Sequence, residues 1–387
     1  MDFFKRCWAE VSIDNLLYNF NLIKKKVNTD VMCVVKSNAY GHGDITVVRE
    51  LEKAGADSFA VATVTEAIRL RKAGINSVIL LLGGCLEDCF NSVIDYDVTL
   101  AIYDVDYAKK LSDYAVSVSK KAKVHIKLNT GMSRIGFDSL DESDCTITSD
   151  AIEQIYNLPG IDVTGVFSHF AVSDEEKGTE YTNYQFDKFF SVKTKVESKG
   201  VNINCWHISN SGAILNYPEC YLDAVRAGIV LYGLYTGHGY DDSFKQVLSL
   251  KTVITHIHAV KKGDTVSYGR TFTADKDMKL ATVSIGYADG YSRLLSSKGS
   301  MIVNGKIASV VGRVCMDQTI IDVTDIDCLT GDVVTVIGKD GNCEITACDI
   351  ADIIGTINYE VVCAISSRVP RVYIKDEKQY AVTDYLI

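Results

Sequence analysis

The chain has 387 residues, 47% of them hydrophobic, with a formal net charge of -10. That length exceeds one ordinary domain and suits two or three units, with a barrel of ~250 residues as the familiar larger one. The acidic balance, with no basic cluster, excludes nucleic acid and anionic membrane as main partners.

No run approaches the ~20 apolar residues of a membrane span. The opening MDFFKRCWAEVS lacks the apolar segment of a signal peptide. The twelve cysteines form no paired C-x-x-C sets. Cys85 and Cys89 stand four apart, Cys343 and Cys348 five apart, and no histidine joins them in a zinc register. They read as reduced, mostly core-filling thiols of a cytoplasmic protein, and no metal site is expected.

In chain order, eight apolar runs read as strands: 31–35, 58–64, 78–82, 99–103, 123–128, 163–168, 205–208 and 224–231. Amphipathic stretches such as 65–73 and 107–121 lie between most of them. This alternation over roughly 230 residues predicts a parallel (β/α)8 barrel over 1–238. A doubly wound open sheet is the alternative, weakened by the lack of G-x-G-x-x-G after the first strand. Residues 239–244 read as a polar linker. Beyond them, Val/Ile-rich runs such as 306–311 and 332–337 alternate with turn signals at Lys262-Gly263-Asp264, Asn304-Gly305, Gly331-Asp332 and Asp340-Gly341. A mainly-β domain over 239–387 is expected.

Candidate chemistry gathers where the strands end. Strand one runs into Cys33-Val34-Val35-Lys36-Ser37-Asn38-Ala39-Tyr40-Gly41-His42-Gly43. Catalytic groups in barrels cluster at the C-terminal ends of strands. A lysine there, among apolar neighbours, loses its proton more readily and can attack an aldehyde. An isolated lysine past a strand would ordinarily be a solvated one. Strand five ends in Lys127-Leu128-Asn129-Thr130-Gly131-Met132-Ser133-Arg134, and strand six in Ser168-His169-Phe170-Ala171. Strands seven and eight end in Ser209-Asn210-Ser211-Gly212 and Val225-Arg226-Ala227-Gly228-Ile229, where barrels often build a phosphate site. The second unit carries Ser267-Tyr268-Gly269-Arg270, Gly286-Tyr287-Ala288-Asp289, Gly312-Arg313-Val314-Cys315-Met316-Asp317 and Asn358-Tyr359-Glu360.

From Trp8-Ala9-Glu10 to Arg371-Val372, these blocks resemble, in order and separation, the bacterial alanine racemases. That family consists of pyridoxal 5'-phosphate enzymes built from a barrel and a β-domain, which supply D-alanine for peptidoglycan. The resemblance implies that Lys36 bonds the cofactor as a Schiff base and serves as the base for the D-antipode. Tyr268 is then the base for the L-antipode. Two groups are needed because one base cannot easily reach both faces of a planar intermediate. A free tyrosine titrates near ~10, so cationic neighbours must help it, Arg134 foremost. By the same resemblance Ser211, Gly228 and Ile229, with Tyr40 and Tyr359, hold the phosphate. Asn210 lies in the same block and is read as cofactor-binding. His169 supports Arg226, and His207 packs near the ring.

Arg226 is implied to face the pyridine nitrogen. An arginine there keeps the ring unprotonated and a weaker electron sink, so the carbanion is reprotonated quickly at Cα. Arg134 and the Met316 backbone N–H are implied to bind the substrate carboxylate, while Tyr287 and Arg313 line a substrate corridor. Lys127 matches a position carbamylated in many family members; a carbamylated and a plain lysine both remain open. Tyr268, Tyr287, Arg313 and Met316 would come from the other subunit, which implies a head-to-tail homodimer with shared sites.

Tyrosine at 359 favours alanine, since serine-preferring relatives linked to glycopeptide resistance can carry asparagine there. Ser37 and Gly212 depart from frequent alanines without removing a needed group. A decarboxylase of basic amino acids would want a carboxylate at the ring nitrogen. A non-enzymatic cofactor-holding protein would be a barrel alone. The Val-Arg-Ala-Gly block and the long β-domain argue against both.

Overall fold

The computed structural model describes residues 3–234, 237, 239 and 241–387. Eight parallel strands form the barrel: Asp30–Val34, Ser58–Val61, Val78–Leu81, Thr99–Ile102, Ala122–Asn129, Ile161–Phe167, Trp206–His207 and Ala224–Ala227. They are numbered one to eight below. Strand eight pairs with strand one, and pairing runs in order from one to seven. The seam between seven and eight is bridged by Asp223 N–H to Trp206 O (3.1 Å) and Arg226 N–H to Ser209 O (2.9 Å). The strands bury nearly every residue because helices cover them outside and side chains fill them inside.

Two predicted strands end early for local reasons. Strand two stops at Val61, not at 64, because Thr63 and Glu66 form a capping box that starts the helix Val64–Lys72. Strand eight stops at Ala227, not at 231. Gly228 leaves the extended conformation (φ -97°, ψ -114°) and a 3-10 turn follows over Ile229–Tyr232. Both endings put small backbone turns at the barrel's C-terminal mouth.

The second sheet is mainly antiparallel and centres on the long strand Leu248–Val260, which pairs with Met278–Val283 and Val333–Asp340. The hairpin Ser300–Val303 to Lys306–Ser309 turns through Asn304 and Gly305, both at positive φ, as an Asn-Gly hairpin requires. The domain division at 238/239 needs one correction. Cys7–Ser12 lies beside Leu248–Val260 and Arg371–Lys375 in this second sheet, so the chain begins in the β-domain before entering the barrel. Its alternating burial, with Glu10 and Ser12 half-exposed, suits a sheet of this kind better than a barrel. His238 and Tyr240, next to that division and inside the expected linker, lie outside the described residues. Phe244, at the linker's end, is buried against the common core. The barrel and the second sheet share one hydrophobic cluster, which ties them into one body.

Candidate active site

Strand one delivers Lys36 to the mouth of the barrel, and the backbone then turns left-handed. Ser37, Asn38, Ala39 and Tyr40 all have φ between 51° and 54°. Four such residues in sequence cost roughly 1–2 kcal/mol each. The turn is held by Ala39 N–H to Val35 O (2.9 Å), Gly41 N–H to Ser37 O (3.0 Å) and Gly43 N–H to Asn38 O (2.9 Å). Glu66, the helix-capping residue, also accepts from Ser37 N–H at 2.7 Å. Gly41 packs so closely on Val362 that a Cβ would collide with its carbonyl oxygen, and Arg371 donates to Gly41 O at 2.8 Å. The β-domain thus buttresses the lysine turn from behind.

A cavity of about 400 Å³ opens over this turn. Lys36, Tyr40, Lys127, Arg134, His169, Asn210, Ser211, Arg226, Gly228, Ile229 and Tyr359 all line it. The expected site residues of the barrel are gathered here except His207, which stands behind Arg226 and does not line the cavity, and Tyr359 joins them from the helix Asn358–Cys363. Four cationic side chains face one carboxylate, Asp174, which favours an anionic guest. Burial, then the nearby Arg134 guanidinium, pushes the Lys36 ammonium below its usual range. Lys127 falls to about 7 through burial and the charges of Arg226 and Arg134. Its ammonium donates to Leu128 O at 2.6 Å and sits over the Phe167 ring.

One end of the cavity is a small polar cradle. Ser211 Oγ accepts from Gly228 N–H (3.1 Å) and Val230 N–H (3.4 Å). A Cβ at Gly228 would come within 3.1 Å of the Tyr40 hydroxyl and 3.3 Å of Ser211 Oγ, so glycine keeps this space open. Asn210 caps the following helix through Ala213 N–H (3.1 Å) and accepts from Ser173 Oγ (2.7 Å), which fixes Ser211 in place.

The other end is governed by Arg226, 3% exposed. Its guanidinium donates to Ser168 O (2.6 Å), Ile208 O (2.9 Å), His169 Nδ1 (3.1 Å) and His207 Nδ1 (2.8 Å). Two histidines that accept at Nδ1 carry their proton at Nε2 and stay neutral. Burial and Arg226 hold both well below the ordinary histidine range. Burial lowers Arg226 itself to about 9. His207 stacks on Phe167 (5.2 Å, 8°) and passes its Nε2 proton toward His125 Nδ1 at 2.9 Å. His125 and Phe167 were missed by motif reading. Strand alternation is the signal for His125: it stands two residues before Lys127 and so shares its inward face.

Tyr268, Tyr287, Arg313 and Met316 do not line this cavity. They cluster on the β-domain, joined by backbone contacts: Ser267 Oγ–H to Arg313 O (2.6 Å), Tyr287 N–H to Cys315 O (3.0 Å) and Ala288 N–H to Met316 O (3.0 Å). The structure brings them together, but apart from Lys36 of the same chain.

Residues 11–236 match the family described as alanine racemase, N-terminal domain, and residues 247–373 match alanine racemase, C-terminal domain. An alanine racemase of Clostridium novyi is 43% identical over 98% of both chains. The solved alanine racemase of Clostridium difficile 630 superposes with a TM-score of 0.94 at 39% identity, covering 100% of both chains. That of Bartonella henselae, described with covalently bound pyridoxal phosphate, has a TM-score of 0.84 at 28% identity and covers 95% of this chain and 99% of its own.

Proposed function

The chain belongs to the alanine racemase family, and we propose that it interconverts L- and D-alanine with pyridoxal phosphate held at Lys36. The observation that carries this reading is the juxtaposition of Lys36 and Arg226 in one cavity at the barrel mouth, within a chain that matches the family along its length. The residues present fit the cofactor. The Tyr40–Ser211–Gly228 cradle suits a phosphate, with hydroxyls and open space beside backbone N–H groups. When bound, the cofactor supplies a covalent link to the amino acid's nitrogen and delocalises the charge released at Cα.

Arg226 is always a donor, so it suits an unprotonated ring nitrogen and disfavours the carboxylate partner of a decarboxylase. Lys36, eased toward its neutral form, holds or gives the Cα proton on one face. Tyr268 of a second copy does so on the other, because within one chain it stands 68% exposed and away from the cavity. Met316 N–H and Arg134 would take the carboxylate, with Tyr287 and Arg313 flanking its path. A homodimer with shared sites follows from this division. Lys127, lowered to about 7, has a neutral amine available at physiological pH. Such an amine can add to carbon dioxide, and the resulting carbamate would pair with Arg134. The twelve free thiols suit a reducing cytoplasm. A product of D-alanine would serve peptidoglycan.

The test is proton exchange in deuterated water. L-alanine should racemise and gain deuterium at Cα only in the presence of pyridoxal phosphate. Greater efficiency on L-serine would overturn the substrate assignment, and carbon dioxide release from a basic amino acid would overturn the reaction.

A further inference from the structure

We propose that His42 is a positioning residue that holds the left-handed turn between Lys36 and Tyr40 in the shape that accepts the cofactor. The inference rests on the pyridoxal-phosphate reading of Lys36 and adds a residue to it. His42 has no solvent exposure and does not line the cavity. Its ring nitrogen Nδ1 lies 3.0 Å from Ala39 O and 2.8 Å from Tyr40 O. Two carbonyl acceptors require Nδ1 to carry the proton, so one N–H clamps the two consecutive carbonyls at the exit of the turn. Nε2 is then a bare acceptor, and among the described residues it is buried with no partner. Burial keeps the ring neutral, near a pKa of about 4.

The ring has a second contact that reaches the entrance of the turn. It packs on Tyr232, with centroids 4.4 Å apart, and the Tyr232 hydroxyl donates to Val34 O at 3.0 Å. Val34 ends strand one, two residues before Lys36. Tyr232 also packs against the Tyr40 ring at 5.2 Å. His42 and Tyr232 therefore bracket both ends of the turn from its buried side. An apolar residue at 42 would fill the space but remove this donor: Ala39 O keeps the backbone N–H of residue 42 at 3.0 Å, whereas Tyr40 O loses the ring N–H at 2.8 Å. Tyr40 closes the left-handed stretch, so release of its carbonyl lets the backbone relax there toward ordinary φ values. Lys36 and the Tyr40 hydroxyl, the two cavity groups this stretch spaces, would then move relative to each other.

The test compares His42→Phe, which keeps a ring and removes the donor, with His42→Asn, whose side-chain N–H sits at the distance of Nδ1. Apoprotein is titrated with pyridoxal phosphate, and the bound fraction is read from absorbance. Amide hydrogen exchange is followed on the same apoproteins. His42→Phe should raise the cofactor Kd about 10²-fold, the scale of a small misplacement of a binding group. Its amides at Ala39, Gly41 and Gly43 should exchange faster while those of strands four to six keep their protection. His42→Asn should restore most of both properties. A His42→Phe protein with the wild-type Kd overturns the proposal, and so does one whose barrel amides are all deprotected together, since that is a core defect. Should His42→Phe not fold, His42→Gln, which places its donor one bond too far, takes its place, and an unchanged Kd overturns the proposal equally. Failure of wild-type apoprotein to bind the cofactor at all would instead overturn the function assigned to Lys36, and the exchange pattern would still decide the role of His42 in the turn.

Discussion

Arg226 and Tyr268 both carry candidate chemistry, yet one is 3% exposed and the other 68%. Around Arg226, three backbone carbonyls and two histidines have already accepted its protons. Around Tyr268, the fold fixes the backbone and leaves the phenol to solvent. The barrel half of the site is preorganised inside one chain. Tyr268 stands on an outer surface, which is consistent with the proposed completion of the site by another copy. Experiments that separate the halves test that contrast.

The largest effect is expected at Lys36. Lys36→Ala should remove the covalent cofactor link and lower turnover by roughly 10⁴-fold or more. Borohydride reduction followed by peptide mapping reads the link directly. A cofactor still fixed on another lysine would show that the barrel half is organised around a different group.

Next comes Tyr268. Tyr268→Ala should slow proton removal from L-alanine by roughly 10²–10⁴-fold and affect D-alanine less in single-turnover exchange. Equal losses in both directions would break the two-face assignment. Mixing the inactive Lys36→Ala and Tyr268→Ala proteins under subunit exchange sharpens the test. If sites are shared, each mixed dimer has one intact site, so roughly a quarter of all sites should recover. No recovery would place both groups in one chain's site.

A third prediction concerns stability. Arg226→Met leaves the carbonyls of Ser168 and Ile208 buried without their donor, and should cost about 3 kcal/mol in urea unfolding. Tyr268→Ala, at an exposed position, should change stability by no more than about 0.5 kcal/mol. Comparable losses would mean that the two halves are equally built into the fold.

The same contrast explains what could be read from the sequence. Barrel strands announce themselves as short buried runs, and Lys36, Arg226 and Ser211 each sit at the end of one. Their positions follow from strand endings, which local turn chemistry decides. The sequence was less informative where partners are distant in the chain. Cys7–Ser12 pairs with strands that begin at 248 and 371, and its six residues do not disclose that pairing. The His207–His125 contact spans 82 positions and depends on barrel closure. The run of positive φ from Ser37 to Tyr40 is carried by non-glycine residues, so no turn signature marks it. On the β-domain, motif blocks point to Tyr268 and Met316, and the folded chain adds that both are exposed and absent from the lining of the Lys36 cavity.

The smallest predicted effect tests how the barrel half tolerates its own charges. Lys127 is 3% exposed, and its amine falls to about 7 in the folded chain from an ordinary value of 10.5. Between those values the unfolded chain binds more protons at this residue than the folded one does. Stability contributed here therefore rises with pH from about 7 upward, and below that the full penalty of a buried ammonium is present. Lys36, shifted in the same direction, adds a slope of the same sign, so the comparison must be with Lys127→Met and not with a flat line. In carbon-dioxide-free buffer, urea unfolding of the wild type should show a steeper gain across roughly pH 6 to 9 than unfolding of Lys127→Met does. Added bicarbonate should raise the stability of the wild type and leave Lys127→Met unchanged, because the folded chain's neutral amine takes up carbon dioxide and releases a proton, whereas the unfolded chain's amine is mostly protonated. Identical slopes in the first buffer would mean that the folded barrel holds this lysine charged, solvated or paired, and would remove the neutral amine that carbamylation needs.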